Sequence, residues 1–355
     1  MQLLSANLTV ALSLRFVEHF HKAYFDTEEG MAHEIHITKT GSPDVLQLHE
    51  VSRSKLAPGD AWIAQESIGV NYLDVMQRSG AVPIPIPGGI GLEAAGRVLE
   101  VGRNVTNVKE GDRVAYALGP LGAYASERAY PANRLIALPE SLSFDDAGAI
   151  TFKGITAQYL LKTTYPVGSG KVLLIYGAAG ALCQFMIPWA THLNAYVIGV
   201  VSKESSVETA RQRGCDNVRV WGKCDLPSEV KTLTGGEMVD VVYDGIGKDT
   251  FDASLSSLRT RGTMVSIGAS SGVPHPVDVG TLNSRGSLFL TRPSIAAHAT
   301  DINEYQARAT EVYATAEAGI ITGDIWKTYP LTQVSDAHQA LESRKAMGPI
   351  VLRPE

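Results

Sequence analysis

Two textures of hydrophobic spacing divide the chain. From Ile35 to about Leu138 apolar residues come in short alternating runs, AWIAQESIGV, AGRVLEVG, DRVAYAL and NRLIAL, each bounded by Pro, Gly or Asp. Alternation with turn residues at both ends marks half-buried strands, so this region reads as all-β with few helices. Its first strand begins at Met31, in MAHEIHITKTG. From about Thr156 onward apolar runs are separated by helical periods, the way a parallel sheet with crossover helices appears in sequence. KVLLIY, YVIGVV, NVRV, VDVVYD and GTMVSIG are the predicted strands. After Pro293 a helical stretch around Glu304 to Ala318 leads to short strands near Lys327 to Tyr329 and Ile350 to Leu352, which are expected to rejoin the first region. No internal repeat or low-complexity segment interrupts the pattern.

Length supports the division, because 355 residues exceed what one hydrophobic core usually organises. The expected fold class is α/β. A β-rich domain is expected over 31–153 and 295–355, and a parallel α/β domain over 154–294. With 45% hydrophobic and 19% charged residues the composition is that of an ordinary globular protein. A formal charge of -6 gives no overall attraction for nucleic acid or anionic lipid, so neither is an expected partner. The longest apolar runs are too short to cross a bilayer as a helix. Cys183, Cys215 and Cys224 are odd in number and lack CxxC spacing, which argues against a disulfide framework. A cytoplasmic location is expected. Residues 1–30 carry an apolar run without a basic start and are read as a dispensable extension rather than a targeting peptide.

The stretch KVLLIYGAAGALCQFMIPWATHLN puts small residues between an apolar strand and a helical period, the setting of a dinucleotide-binding turn. Gly177, Ala178 and Gly180, followed by Ala181 and Leu182, would let backbone N–H groups and the helix N-terminus approach a pyrophosphate. Taken alone, a Gly-Ala-Ala-Gly run also suits a plain structural turn. Cys183 replaces the third glycine, the one that usually allows close helix-to-strand packing. The next strand ends at Val201, where an NAD enzyme would offer a carboxylate to the ribose; here stand Ser202 and Lys203. A hydroxyl and an ammonium suit a 2′-phosphate, so the junction points to NADPH. The bland alternative leaves Lys203 a solvated loop charge.

From about Ile35 to its end the chain resembles the quinone oxidoreductase and zeta-crystallin branch of the medium-chain dehydrogenase/reductase superfamily. The resemblance rests on GVNYLDVMQRSG, GLEAAGRVLEVG, VKEGDRVAY, GAYASERAY, FKGITAQYLL, VDVVYDGIGKDTFDASLSSL, GTMVSIGASSG and GSLFLTRPS, in the family's order and spacing. It implies a GroES-like catalytic domain, an inserted Rossmann domain, NADPH in the cleft between them, and a homodimer paired through the late strands around Ser287 to Thr291. By the same resemblance, Asn71 lies near the nicotinamide end, Thr156 at the entry to the cofactor domain, and Ile267 to Ala269 along the cofactor ribose. Trp221 takes an aromatic position beside the 2′-phosphate that is often Tyr in relatives, and Arg344 reaches the same phosphate. Met76 replaces a tyrosine that points into the substrate cleft. Tyr72 is the nearest remaining phenol, although a buried tyrosine is more often core packing than an acid catalyst.

Zinc-dependent relatives use a Gly-His-Glu motif. Here it is Gly91-Leu92-Glu93, and the first domain has no cysteine, so neither kind of zinc site has its ligands. Without a Lewis acid, reduction of an activated acceptor is favoured over alcohol oxidation. The expected activity is zinc-independent, NADPH-dependent quinone reduction, in an apolar cleft lined by Asn71, Tyr72, Met76 and Thr156. The alternatives are an alkenal or enone reductase and a crystallin-like NADPH-binding protein, RNA-binding in some versions, with little turnover.

Overall fold

A computed structural model describes residues 31–343 and 345–354. The early strands pair antiparallel and build two sheets, the larger of which also takes two late strands that run parallel to each other. Gln47–Ser52, Met31–Ile37 and Gly88–Gly89 form a three-stranded sheet in that order. A seven-stranded sheet runs Lys327–Pro330, Ile350–Arg353, Asp60–Val70, Glu93–Val101, Arg113–Ala117, Ile136–Ala137, with Glu127–Pro131 also paired to Asp60–Val70. Its last strand in sequence, Ile350–Arg353, lies antiparallel to Asp60–Val70 with Ile350 opposite Val70. The chain therefore leaves this sheet, builds everything between, and returns to it, as the short apolar runs at the C-terminus predict.

The intervening sheet is parallel throughout, in the order Asn217–Val220, Tyr196–Val201, Val172–Tyr176, Val239–Asp244, Leu258–Ser266, Phe289–Thr291. Numbered by chain order this is 3-2-1-4-5-6, the doubly wound dinucleotide-binding arrangement. Side chains of a strand alternate between faces, and here both faces are covered. Leu173, Ile175, Val197, Val241, Tyr243 and Val265 pack into one core. Leu174, Tyr176, Ile198, Val200, Val242 and Met264 pack into another on the opposite face. That double burial is why these segments read as continuous apolar runs.

The two sheets are joined by helix Phe144–Tyr159, buried along most of its length. Ser143 caps it: its hydroxyl accepts from Asp146 N–H at 3.0 Å, and Asp146 accepts from Ser143 N–H at 3.1 Å. Positions 153 and 154, the expected domain junction, lie inside this helix, so no loop marks them. The helix ends in a wide turn over 160–164, closed by Tyr165 N–H to the Leu160 carbonyl at 3.2 Å. The Tyr243 hydroxyl also donates to that carbonyl, at 2.9 Å, tying the turn to the parallel sheet.

Candidate functional site

Asn71 follows the strand Asp60–Val70 and starts helix Tyr72–Ser79. Its backbone N–H donates to the Asp74 carboxylate at 2.8 Å, and its carbonyl accepts from Asp74 N–H at 3.0 Å. The Asn71 side chain is buried and turns toward Glu93, where Nδ2 donates to Oε2 at 2.9 Å. Lys153 Nζ reaches the same oxygen at 3.3 Å, and Phe152 N–H donates to Oε1 at 2.5 Å. Glu93 has no solvent exposure. A carboxylate removed from water is strongly unfavourable unless paired and hydrogen-bonded, and these three donors meet that requirement. Gly69, opposite Glu93 in the strand pair, makes the space: a Cβ there would stand 2.2 Å from Glu93 Oε2 and from the Gly148 carbonyl.

Thr156 lies three residues beyond Lys153, a spacing that puts both on one face of their helix. Its hydroxyl donates to the Phe152 carbonyl at 2.8 Å. Tyr72 and Met76, four residues apart, share the outer face of helix Tyr72–Ser79, while Asp74, Val75 and Arg78 are buried. Tyr72, expected to line the cleft with core packing as the alternative, is 48% exposed, because the first helical position turns away from the buried face; a packed core role is thereby excluded.

At the C-terminal end of strand Val172–Tyr176 the chain turns through Gly177 at φ +67°, with open space where a Cβ would be. Ala178 N–H donates to the Val200 carbonyl and Gly180 N–H to Gly177. The N–H groups of Ala179, Ala181 and Leu182 have no acceptor among the described residues, and they stand just before helix Cys183–His192. Such orphan donors at a helix start fit a pyrophosphate. Cys183 at the third small position is buried, with Sγ 3.6 Å from the Tyr176 carbonyl; burial pushes its thiol up to about 12, so it packs as a neutral group against the strand. Ser202 and Lys203 are exposed at the end of strand Tyr196–Val201. Trp221 is beside them, its backbone N–H on the Val201 carbonyl at 2.8 Å and its ring edge-on to Tyr176. The cationic and aromatic groups predicted for a 2′-phosphate therefore share one sheet end. Arg344 lies outside the described residues.

Spacing alone revealed neither Arg213 nor Asp244. The Arg213 guanidinium donates to the carbonyls of Ala178 (3.0 Å) and Gly180 (2.7 Å) through one nitrogen and to Met347 (2.8 Å) through the other. Burial pushes its pKa down. Asp244 is fully buried; Oδ1 accepts from the N–H groups of Ile246 and Gly247, and Oδ2 from the hydroxyls of Thr250 and Ser254. Its carbonyl takes Ile267 N–H at 2.8 Å, so it also orients the start of the 267–269 segment that includes Ala269. Sequence signals for both were only a charge at a helix end and an acid at a strand end.

A second buried cluster lies beneath helix Tyr72–Ser79. The Tyr124 hydroxyl donates to Asp74 Oδ2 at 2.8 Å and lies 3.0 Å from His338 Nε2. Burial pushes the Asp74 carboxyl up to about 7 and the His338 imidazole down to about 3. Arg78, also buried, pairs with Glu342. Leu92, in the place of the zinc-binding histidine, is buried among apolar neighbours. Among the described residues no group of three or more His, Cys, Asp or Glu is placed to hold a metal ion.

Comparison with known proteins agrees with this geometry. Residues 57–140 match the family described as alcohol dehydrogenase GroES-like domain, and 181–310 the one described as zinc-binding dehydrogenase. A 2-haloacrylate reductase from a Burkholderia species is 42% identical, over 92% of this chain and 99% of its own. Quinone oxidoreductase 1 of Escherichia coli is 39% identical, over 91% of this chain and all of its own. The crystal structure of Escherichia coli quinone oxidoreductase complexed with NADPH superposes with a TM-score of 0.88 at 38% identity, covering 91% of this chain and 100% of that one. The crystal structure of 2-haloacrylate reductase gives 0.82 at 42% identity, covering 91% and 99%.

Proposed function

The chain belongs to the quinone oxidoreductase branch of the medium-chain dehydrogenase/reductase superfamily, and from that membership we propose that it reduces quinones with NADPH, without a metal. The observation that carries this reading is the near full-length match to quinone oxidoreductases, one of them solved with NADPH. The orphan N–H groups of Ala179, Ala181 and Leu182, with Gly177, Ala178 and Gly180 shaping the turn, would hold the pyrophosphate. Ser202, Lys203, Trp221 and Arg344 would receive the 2′-phosphate. Ile267 and Ala269 would flank the ribose, and Asn71 and Thr156 the nicotinamide end. Bound NADPH supplies a hydride equivalent. The protein's share is to orient the acceptor, exclude water and hold the oxygen that gains charge.

A second reading is reduction of a carbon–carbon double bond conjugated to a carbonyl or carboxylate. It is favoured by the 42% identity to a 2-haloacrylate reductase and by Met76, which cannot offer the phenol its place suggests. The two readings separate when NADPH oxidation is followed with 9,10-phenanthrenequinone, 1,4-benzoquinone, a simple enone and 2-chloroacrylate, with NADH as control. Quinone turnover with NADPH alone supports the first; turnover only of the enone or the chloroacrylate supports the second.

The domain division at 31–153 with 295–355 and at 154–294 is part of the same proposal. So is a homodimer formed through Phe289–Thr291, the strand at the edge of the parallel sheet, where Phe289 is 61% exposed. No helix among the described residues is long and apolar enough to cross a membrane. Free thiols at Cys183, Cys215 and Cys224 suit a reducing, cytoplasmic setting.

A further inference from the structure

Lys153 is used by nothing in the reading above except charge balance. It is 7% exposed, and among the described residues its ammonium has one partner, Glu93 Oε2, at 3.3 Å. An ammonium carries three donors, so two N–H groups are left without a protein acceptor in a place largely shut off from water. Leaving buried donors unmet is costly, which makes this pair a sign of something that binds there.

Its position says where. Asn71 Nδ2 and Lys153 Nζ converge on the same oxygen, so the ammonium stands beside the amide assigned to the nicotinamide end. Two of the other residues assigned to the cleft have no proton to offer an acceptor. Thr156 has its proton on the Phe152 carbonyl, and Met76 has none to give. Glu93 cannot move toward Lys153 to take up its spare donors, because Phe152 N–H holds Oε1 and Asn71 holds Oε2.

We propose that the Lys153 ammonium binds the oxygen of the acceptor, a carbonyl or carboxylate oxygen conjugated to the bond being reduced. This rests on the reductase reading above. An enone or unsaturated acid gains hydride at its β-carbon and shifts a π pair onto that oxygen, and a solvent proton delivered to the α-carbon completes the saturated product. A quinone takes the same two electrons, one hydrogen and one solvent proton and reaches the hydroquinone once both hydrogens stand on oxygen, any hydrogen first placed on carbon being lost to solvent as the ring becomes aromatic and replaced by a proton on oxygen; NADPH is oxidised to NADP+ in either case. A fixed positive donor in a water-poor site stabilises the oxygen as its charge grows. A quinone, an enone and an unsaturated acid share this oxygen chemistry, and the experiment separates them.

The first arm uses 4-nitrophenol, an oxyanion mimic that is not turned over and whose absorbance reports whether it is bound as phenol or phenolate. Wild-type protein is expected to bind it as phenolate at a pH where free nitrophenol is mostly protonated. Binding without that spectral shift, or no binding, overturns the proposal. The second arm compares Lys153→Met with the charge-neutral double variant Lys153→Met/Glu93→Gln, which keeps the fold testable if Glu93 alone cannot stay buried. Both are expected to lose the phenolate signature and about 100-fold in kcat, the usual effect of removing one oxyanion donor, while NADPH binding by fluorescence is unchanged. A larger loss on 2-chloroacrylate than on a neutral enone places a carboxylate at Lys153; equal losses place the carbonyl there. A folded double variant with wild-type kcat overturns the proposal. Wild type that binds nitrophenolate yet turns over no quinone, enone or chloroacrylate would instead refute the reductase reading and leave the oxyanion site standing.

Discussion

Arg213 donates to the Met347 carbonyl at 2.8 Å while its other nitrogen holds the carbonyls of Ala178 and Gly180, so one side chain bridges the glycine turn and the segment after Arg344. Both ends of that bridge are assigned to NADPH, one at the pyrophosphate and one near the 2′-phosphate. Arg213→Met leaves three carbonyls without their donor and lets the turn and the C-terminal segment drift apart. The dissociation constant for NADPH, measured by fluorescence quenching, is expected to rise about tenfold, the equivalent of one or two ordinary hydrogen bonds. Quinone kcat at saturating NADPH should change little. A fall in kcat with unchanged NADPH affinity would show that Arg213 serves the chemistry rather than the cofactor turn.

The pH dependence of stability should carry two opposed contributions from the cluster under helix Tyr72–Ser79. Asp74 has a raised folded pKa of about 7, so its contribution is complete below the ordinary carboxylate range and is lost as pH rises toward 7. His338 has a depressed folded pKa of about 3, so its contribution is complete above the ordinary imidazole pKa and is lost as pH falls toward 3. Between about pH 4 and 6.5 the two largely offset each other. Asp74→Asn removes the first and leaves the second. Melting temperatures recorded from pH 4 to 8 should therefore rise toward pH 6.5 and then level in the variant, while wild type is flatter over the lower range and declines just above it. Parallel curves for the two proteins would mean that Asp74 is not protonated in the fold.

Much of this architecture is visible in the residues themselves. Buried parallel strands such as VLLIY and VDVVYD must be apolar on both faces, and the small residues after the first of them announce a turn open to a ligand. The site is less visible because its partners meet only after folding. Glu93 and Lys153 are 60 residues apart in chain and 3.3 Å apart in space, and neither has a local signature beyond one charge in an apolar run. Arg213 looks like a solvated charge at the end of a helix until the Met347 segment folds back over it. Tyr72 could be read either as a cleft residue or as core at a strand–helix junction, and only the helix phase, which turns it outward, decides against core.

The exposed edge of the parallel sheet is the place to test self-association. Among the described residues Phe289–Thr291 pairs with Leu258–Ser266 on one side only, and Phe289 is 61% exposed. Unpaired backbone beside an exposed aromatic ring is unfavourable unless another chain covers it. Phe289→Asp adds a charge that a strand-to-strand interface would have to bury. Light scattering is expected to give a dimer for wild type and a monomer for the variant, with Rossmann-domain NADPH binding retained. A wild-type monomer at working concentrations rules this interface out.

Cofactor choice tests the far end of the site. Lys203 is exposed just past strand Tyr196–Val201, next to Ser202; the Trp221 backbone N–H is held by the Val201 carbonyl at the same strand end, and its ring lies edge-on to Tyr176. An exposed ammonium contributes modestly because solvent screens it, yet a 2′-phosphate carries close to two negative charges and offers it several acceptor oxygens. Lys203→Ala should therefore lower kcat/KM for NADPH by about tenfold and leave the value for NADH nearly unchanged, since NADH has only a hydroxyl at that position. The loss should shrink as salt is raised, because the screening length falls from about 10 Å at 0.1 M to about 3 Å at 1 M, whereas a packing defect would persist. Equal loss for both cofactors would assign Lys203 to the fold of its loop, and the preference for NADPH would then have to come from Trp221 and Arg344.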